Sequence, residues 1–545
     1  MYIFYQHLAY ELRFDVSHKK VDMMDSVDKG SQENEYFRTG NKLSADSVVL
    51  NLDLEGFITA VENQARPLVI PLCAEIALPM TSPEALFLSM RKGPGFLLES
   101  MDGGEKIARY SFIGIEPKLI LSIGKTIKLE GDPLFIGISK NPVGSNAIDQ
   151  VRSILRRFHF VNLKAPRFFG GMVGYFSYDM ISSLHPKAGD NKEHDERKPV
   201  ARFLLAKDGI VLDHRDRRCY VFESPLLMHG SDPVEAYQAS RNGICRMISE
   251  IKRAENAGEP HGVIPAVTRA TYTSSVAKDE YEKAVQKTKE YIRAGDILQS
   301  VISRKISCPF EGDPFRIYRA LRQINPSPYM YFLDFGDQRI IGSSPEMLIR
   351  VENGRVTTVP IAGTRPRGKD SQEDEALSAD LLSDEKERAE HVMLVDLARN
   401  DLGRVCKFGT VSVPDFMGIE RFSHVQHIVS TVTGTLRDHL DPCDALAAAF
   451  PAGTVSGAPK VRAMQIIGEL EHEARGVYAG AVGWIGFNRN LEFAIAIRTV
   501  VAEGGVAEVQ VGAGIVADSV PETEWFETEA KARGMCAAIE AAGGV

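Results

Sequence analysis

The sequence predicts an α+β fold built on mostly antiparallel sheet, and three observations carry that prediction. Strand-like and helix-like segments interleave without regular βαβ spacing and without an internal repeat. Neither GxGxxG nor a P-loop is present to mark a parallel nucleotide-binding sheet. Asn353-Gly354 sits between two alternating runs in MLIRVENGRVTTVPI, the strongest short-range hairpin signal. The 545 residues, 44% hydrophobic and 25% charged, have the make-up of an ordinary globular chain with room for a large core. Lys+Arg 64 against Asp+Glu 73 gives a net charge of −9, so no basic field draws nucleic acid or an anionic membrane. An anionic ligand must then be met by a few placed cations. The 7 cysteines lack paired metal-ligand spacing, which predicts reduced thiols and a cytoplasmic setting. No apolar run reaches about 18 residues and no export signal opens the chain, so neither export nor membrane spanning is expected.

Taken in order, residues 1–46 pass from an aromatic start to a polar stretch without helical or strand period, and read as a mobile extension. Met23 or Met24 is expected nearer the natural start. Residues 47–270 form a sheet-rich first region and 271–545 a second. In the first, KIARYSFIGIEPKLILSIG and GGMVGYFSY alternate as strands, and ARFLLAKDGIVLDHRDRRCYVFES reads as strands joined by turns at Asp208-Gly209 and at 214–217. The charged stretch 185–199 reads as a solvated loop. Asp232-Pro233 caps a helix over 233–253, followed by a junction within 255–275. Beyond it come a helix over 279–294 stopped by Gly295, a strand through ILQSVISRKI, and a helix from Pro314 capped by Asp313.

Two helices carry paired acids. Asp384 and Glu387 have capping-box spacing, and Glu387, Glu390, Leu394 and Leu397 fall on one stripe. Ser519 and Glu522 have the same spacing, with Glu524 and Glu527 on the helix that follows and Lys531 four residues on. Acids in a first turn complement the helix dipole, so each pair is also what a solvated turn favours. If the helices meet, four carboxylates would clamp a hard cation, and oxygen ligands without His or Cys favour Mg²⁺. In LEFAIAIRTV, alternation sets Arg498 beside Ala494 and Ala496, with room for a guanidinium to grip a carboxylate. Gly512-Ala513-Gly514 permits close backbone approach to an anion, or tight packing. Of the 13 histidines, His427 and His391 lie near these signals.

Ordered motifs carry a resemblance: GDILQSVISRK, INPSPYMYF, GSSPEMLIR, PIAGTRPRG, DEKERAEHVMLVDLARNDLGRV, FSHVQHIVS, FPAGTVSGAPKVRAM, GVYAGAVGW, FAIAIRT and VGAGIVADSVPETEWFETEAKA. Together they resemble the chorismate-utilising enzymes, most closely the anthranilate synthase component I family, over roughly 50–540. The resemblance implies that family's fold, large mostly antiparallel sheets packed as a sandwich with helices outside, a regulatory N-terminal region and a chorismate-binding C-terminal region. It implies a lyase of tryptophan biosynthesis that converts chorismate and ammonia to anthranilate and pyruvate.

Residue by residue, Glu390 and Glu527 match Mg²⁺ ligands, with Glu387 and Glu524 in support. Gly363, Thr364, Tyr478, Arg498, Gly512, Ala513, Gly514 and Lys531 match substrate-binding positions. Arg498 and Tyr478 are expected at the enolpyruvyl carboxylate. Glu346 resembles the acid that protonates the departing 4-hydroxyl, His427 the histidine of pyruvate elimination, and Thr454 a turn residue at the ring. Relatives that add water usually carry a lysine where this chain has Gln299, and aminodeoxychorismate synthases usually read PIKGT where Ala362 stands here, so ammonia and the anthranilate product are expected. No cysteine sits in a glycine-flanked elbow, which implies a separate glutamine amidotransferase subunit (component II) and a hetero-oligomer. FLLES, ARYSFIG and NPSPYMYF resemble the family's regulatory pattern, with Ser100, Pro328, Tyr329 and Met330 lining a site for allosteric tryptophan and Glu99 beside it. The chain departs from the pattern at Phe526, where many relatives have an acid, and at Ala530.

Overall fold

The computed structural model describes residues 48–101, 109–163, 167–188, 198–258, 269–422 and 425–543. The expected extension 1–46, most of the charged loop 185–199 and much of the junction 255–275 lie outside the described residues.

Two large sheets face each other, and within both every strand pair is antiparallel. The first runs from Thr273–Ser274 through Gln299–Pro309, Val506–Ile515, Thr499–Glu503, Gln338–Ser344 and Tyr329–Asp334 into Gly95–Glu99, Tyr110–Ile115, Asp208–Asp213, Arg218–Glu223 and Leu72–Ala77. The second runs from Ile361–Pro366 through Val425–Thr435, Arg355–Thr358, Met347–Glu352, Leu491–Ile495 and Ala481–Gly486 into Gly171–Phe176, Ala201–Ala206, Leu119–Ile123 and Ile127–Gly131. Both sheets therefore take strands from either side of residue 270.

The inner faces meet over an aromatic layer in which Phe168 packs edge-on to Phe112 and Phe222 and tilts against Trp484. Helices cover the outer faces. Pro83–Met90, Pro233–Ala257, Pro314–Ile324 and Pro521–Ala542 pack on the first sheet, and Ala147–Leu155, Glu385–Val405 and Pro442–Ala449 on the second. This is the sandwich with outer helices that the resemblance implied.

Local signals set the element ends. The Asp232 and Asp313 side chains accept the N–H groups of Val234 and Phe315, with proline in the first turn of each helix. Gly295 takes φ +83° just past the helix Lys278–Arg293, and Asn353 and Gly354 take φ +51° and +79° between strands paired at Glu352 and Arg355.

Three expectations need correction. Asp208-Gly209 is not a turn: it lies inside Asp208–Asp213, where the chain has already crossed from the second sheet to the first, and a Cβ at Gly209 would stand 2.5 Å from the Ile113 carbonyl. Ser519 does not cap its helix, which starts at Pro521; its hydroxyl instead accepts the Val516 N–H at 3.0 Å. Arg498 does not lie within a strand, because Leu491–Ile495 ends before it and Thr499–Glu503 begins after it in the other sheet. Its φ of +50° turns the corner between the sheets.

Candidate active site

Glu346 follows Gln338–Ser344, at the passage from the first sheet to the second, and is buried. Burial pushes its carboxyl up to about 8, against the opposing pull of the Thr454 hydroxyl and of Arg498. Thr454, in the short helical turn Gly453–Ser456, donates to Glu346 Oε1 at 2.7 Å. The Arg498 guanidinium is half-buried and has no hydrogen-bonded side-chain partner among the described residues. Its charge is thus available to an anion.

Burial, aided by the Arg498 charge and opposed by a hydrogen bond to Gly363, holds the His427 imidazole below the ordinary histidine range. Its Nδ1 is 2.7 Å from the Gly363 carbonyl and 3.2 Å from Thr364 Oγ1. A carbonyl can only accept, so Nδ1 carries the proton and Nε2 is left as the basic nitrogen. Gly363 has φ +66°, and a Cβ there would stand 3.2 Å from Glu387 Oε2. Glycine is what this crowded left-handed position allows.

Glu387 and Glu390 project from the helix Glu385–Val405, which Asp384 caps by accepting the N–H groups of Lys386 and Glu387. Burial, then the Glu390 charge, raises the Glu387 carboxyl, while Arg365, 3.6 Å away, opposes them. Gln299 Nε2 lies 3.5 Å from Glu390 Oε1, and Gln299 Oε1 is buried without a hydrogen-bond partner among the described residues. On the C-terminal helix Glu524 is buried and raised first by burial and also by Glu527, while its Ser519 hydrogen bond, Lys531 and Lys386 oppose this. Glu527 is half-exposed and pairs with Lys531 at 2.7 Å, and Lys531 also donates to the Gly512 carbonyl at 3.0 Å.

Gly512 and Gly514 face the same way from Val506–Ile515. A Cβ at Gly512 would stand 2.7 Å from the Tyr478 hydroxyl, and one at Gly514 2.7 Å from Gln299 Nε2. Ala513 points the other way, fully buried in the core. Burial lifts the Tyr478 phenol to about 12, so it stays a neutral donor. The residues therefore close into a ring: Thr454, Glu346, Arg498, His427, Gly363, Glu387, Glu390, Gln299, Gly514, Gly512, Lys531, Glu527 and Glu524, which returns through Lys386 beside Glu387.

The two acid pairs remain separate pairs. Among the described residues no three acidic, His or Cys side chains form a metal-holding group. The donor set still fits Mg²⁺, which takes one or two carboxylates and completes its shell with water and substrate oxygens, and Glu387 and Glu524, raised first by burial and then by the acid beside each, are what a cation would relieve. His391 is structural: it is fully buried, bonds Ser430 Oγ at 2.6 Å and is held down at about 4 by burial.

Sequence reasoning missed the support behind Tyr478. Arg475 and Glu471 form a buried ion pair at 2.7 Å, with the Arg475 guanidinium also donating to the carbonyls of Val455 and Val301 and Glu471 accepting from Ser303 N and Oγ. The i, i+4 spacing was visible; its burial was not.

A separate cavity between the sheets is lined by Ser100, Pro328, Tyr329 and Met330 together with Arg167 and Glu492. Ser100 Oγ donates to the Pro328 carbonyl at 2.8 Å and the Tyr329 hydroxyl to Glu492 at 3.0 Å. Glu99 also lines it and accepts from Tyr318 and Arg322.

Comparison with known proteins places relatives around this arrangement. Residues 96–537 match the family model described as chorismate binding enzyme. Anthranilate synthase component 1 of Acetivibrio thermocellus is 47% identical over 485 residues, covering 87% of this chain and 96% of that one. The protein of the same name from Aquifex aeolicus is 46% identical over 499 residues, covering 90% and 98%. The crystal structure of anthranilate synthase component I from Streptococcus pneumoniae superposes with a TM-score of 0.66 at 37% identity, covering 79% of this chain and 92% of that one. The menaquinone-specific isochorismate synthase of Escherichia coli, at 19% identity and a TM-score of 0.64, covers 89% of this chain and 98% of its own and shares the fold.

Proposed function

The chain belongs to the chorismate binding enzymes, in the branch of anthranilate synthase component 1, and on that premise we propose that it makes anthranilate and pyruvate from chorismate and ammonia. One observation carries the reading: a carboxylic acid that burial keeps protonated near neutral pH, set beside an arginine that has no hydrogen-bonded side-chain partner among the described residues. A dianionic substrate that must lose a hydroxyl needs both.

In this reading Arg498 and Tyr478 take the enolpyruvyl carboxylate, while Gly363, Thr364, Gly512, Ala513, Gly514 and Lys531 frame the substrate. Ammonia adds at ring carbon C2 as the C4 hydroxyl leaves with the Glu346 proton, forming water. His427 Nε2 is placed to assist the second stage, in which the C2 proton and the enolpyruvyl group depart and the ring becomes aromatic. Glu390 and Glu527, supported by Glu387 and Glu524, would hold Mg²⁺, which supplies positive charge to the ring carboxylate. The unpartnered Gln299 Oε1 suits an N–H donor and, unlike a lysine, cannot activate water.

Ammonia is proposed to come from a separate amidotransferase component. Burial lifts the Cys73 thiol to about 12 and Cys536 to about 11, and raises Cys219, Cys308, Cys406 and Cys443, the opposite of what a nucleophilic thiolate requires. Tryptophan is proposed for the Ser100–Pro328 cavity, where aromatic walls meet acidic groups and Arg167. Coupling has a material route, since Glu492 and Ala494 line that cavity and Ile495, next on the strand, donates its N–H to the Glu346 carbonyl. Among the described residues no helix is long and apolar enough to cross a membrane.

The test is to mix the protein with chorismate, Mg²⁺ and ammonium at mildly alkaline pH and follow anthranilate fluorescence with and without tryptophan. Isochorismate, salicylate or aminodeoxychorismate as the product would overturn the assignment.

A further inference from the structure

The segment 450–459 carries Thr454 to Glu346, and a single buried ammonium closes it. Lys460 Nζ donates to the Ala449 carbonyl at 3.1 Å, at the end of the helix Pro442–Ala449, so the lysine clasps the segment's start from its finish. The same ammonium bonds Asp401 Oδ2 at 2.7 Å, and Asp401 lies on the helix that bears Glu387 and Glu390. Both partners are buried. We infer that Lys460 and Asp401 are positioning residues, which set the distance between the acidic helix and the Thr454 turn and so keep the Thr454 hydroxyl on Glu346.

Packing fixes only part of that distance, since a cavity lined by Glu346, Thr454, Asp401, Leu394 and Leu397 lies beside the direct contact of the turn with the helix. At its edge Gly453 approaches Leu397, where a Cβ would stand 3.0 Å from Cδ1. The far half of the segment is held independently, by Arg475 on the Val455 carbonyl and by Gly457 and Ala458 pairing with Ser300 and Gln299. The near half, which includes Thr454, has the Lys460–Asp401 tie, His185 Nε2 at 3.1 Å from the Phe450 carbonyl, and the Ser456 hydroxyl, which donates to the Ala452 carbonyl at 2.7 Å. Among the described residues Arg404 and His185 are the other charged or titratable groups that face Asp401, and Arg498 is the one that faces Glu346.

The inference rests on the role proposed for Glu346, and its test is read without turnover. The carboxyl of Glu346 is titrated by infrared difference spectroscopy, with Glu346→Gln as the blank. Because the Thr454 bond favours the charged form, losing it moves the midpoint to higher pH. Thr454→Val should do this. Lys460→Met with Asp401→Asn, which removes both charges so that neither is left buried alone, should do the same while circular dichroism stays native. Combining all three changes should add nothing further, and Lys460→Arg should restore part of the native midpoint. In turnover, the double variant should lose on the order of tenfold in kcat with little change in KM for chorismate. A folded double variant that titrates like the native protein, or whose shift adds to that of Thr454→Val, overturns the tie. A native enzyme that titrates as described yet makes no anthranilate speaks against the proposed function and leaves the tie standing.

Discussion

Replacing Glu346 by glutamine should slow turnover sharply and stabilise the protein at once. An ordinary glutamate titrates near 4.5, and burial moves this one to about 8. The unfolded chain therefore gives up the proton above about pH 4.5 while the folded chain keeps it. Between these values the native state binds the extra proton, so stability falls as pH rises and levels off above about 8. At about 1.4 kcal/mol per pH unit, the ceiling on this cost is on the order of 5 kcal/mol. Glutamine keeps the size and the acceptor for Thr454 but has no proton to lose. Thermal unfolding at about pH 4, 6 and 9, which bracket the unfolded and folded titrations, should show nearly equal midpoints at the lowest pH and a widening advantage for the variant above it. Its kcat should fall by about 10² to 10⁴, the usual worth of a general acid. The native rate should itself decline above about pH 8 as the acid ionises. A difference in midpoint that does not change with pH would refute the reasoning, because the carboxyl would then be ionised in the folded protein.

Glu527→Gln should leave the fold intact, since its pairing with Lys531 is half-exposed and such pairs contribute at most about 1 kcal/mol. It should nonetheless weaken Mg²⁺ activation about a hundredfold in a magnesium titration, and unchanged activation would remove Glu527 from the ligand set. Ser100→Phe should relieve the proposed tryptophan inhibition with the uninhibited rate within about twofold of native, because it fills the cavity beside Pro328 without touching the ring of candidate site residues. Undiminished inhibition would move the effector elsewhere. Arg475→Met should cost about 3 to 5 kcal/mol in urea unfolding by stranding Glu471 in the core, and Glu471→Gln added to it should recover part of the loss.

What the sequence revealed divides along the distance over which each feature is decided. Asp232, Asp313 and the Asn353-Gly354 turn were legible because caps and tight turns are settled within a few residues. The Asp208-Gly209 crossover was not, since the same two residues serve a hairpin or a change of sheet, and only pairing with Tyr110–Ile115 decides. Arg498 was singled out by strand alternation, which does not reach it: it turns the corner between the sheets, and that corner needs strands from distant parts of the chain. Spacing exposed the acid pairs on their stripes and drew attention to His427 near them, whereas Glu346 and Thr454 as candidates, and the role of His427, came from resemblance alone. Lys460 and Asp401, 59 residues apart, carry no local mark of their bond.

The interleaving of early and late strands has a consequence for synthesis. Glu99 pairs with Met330, and Gly171 with Gly486, so neither sheet can close until nearly the whole chain has left the ribosome. Until then Gly95–Glu99 and Gly171–Phe176, both apolar, present open edges to whatever strand is nearest. The nascent chain thus depends on being shielded for as long as translation lasts, and a premature stop anywhere before Ala481 releases a product with an unsatisfied edge at the centre of its second sheet.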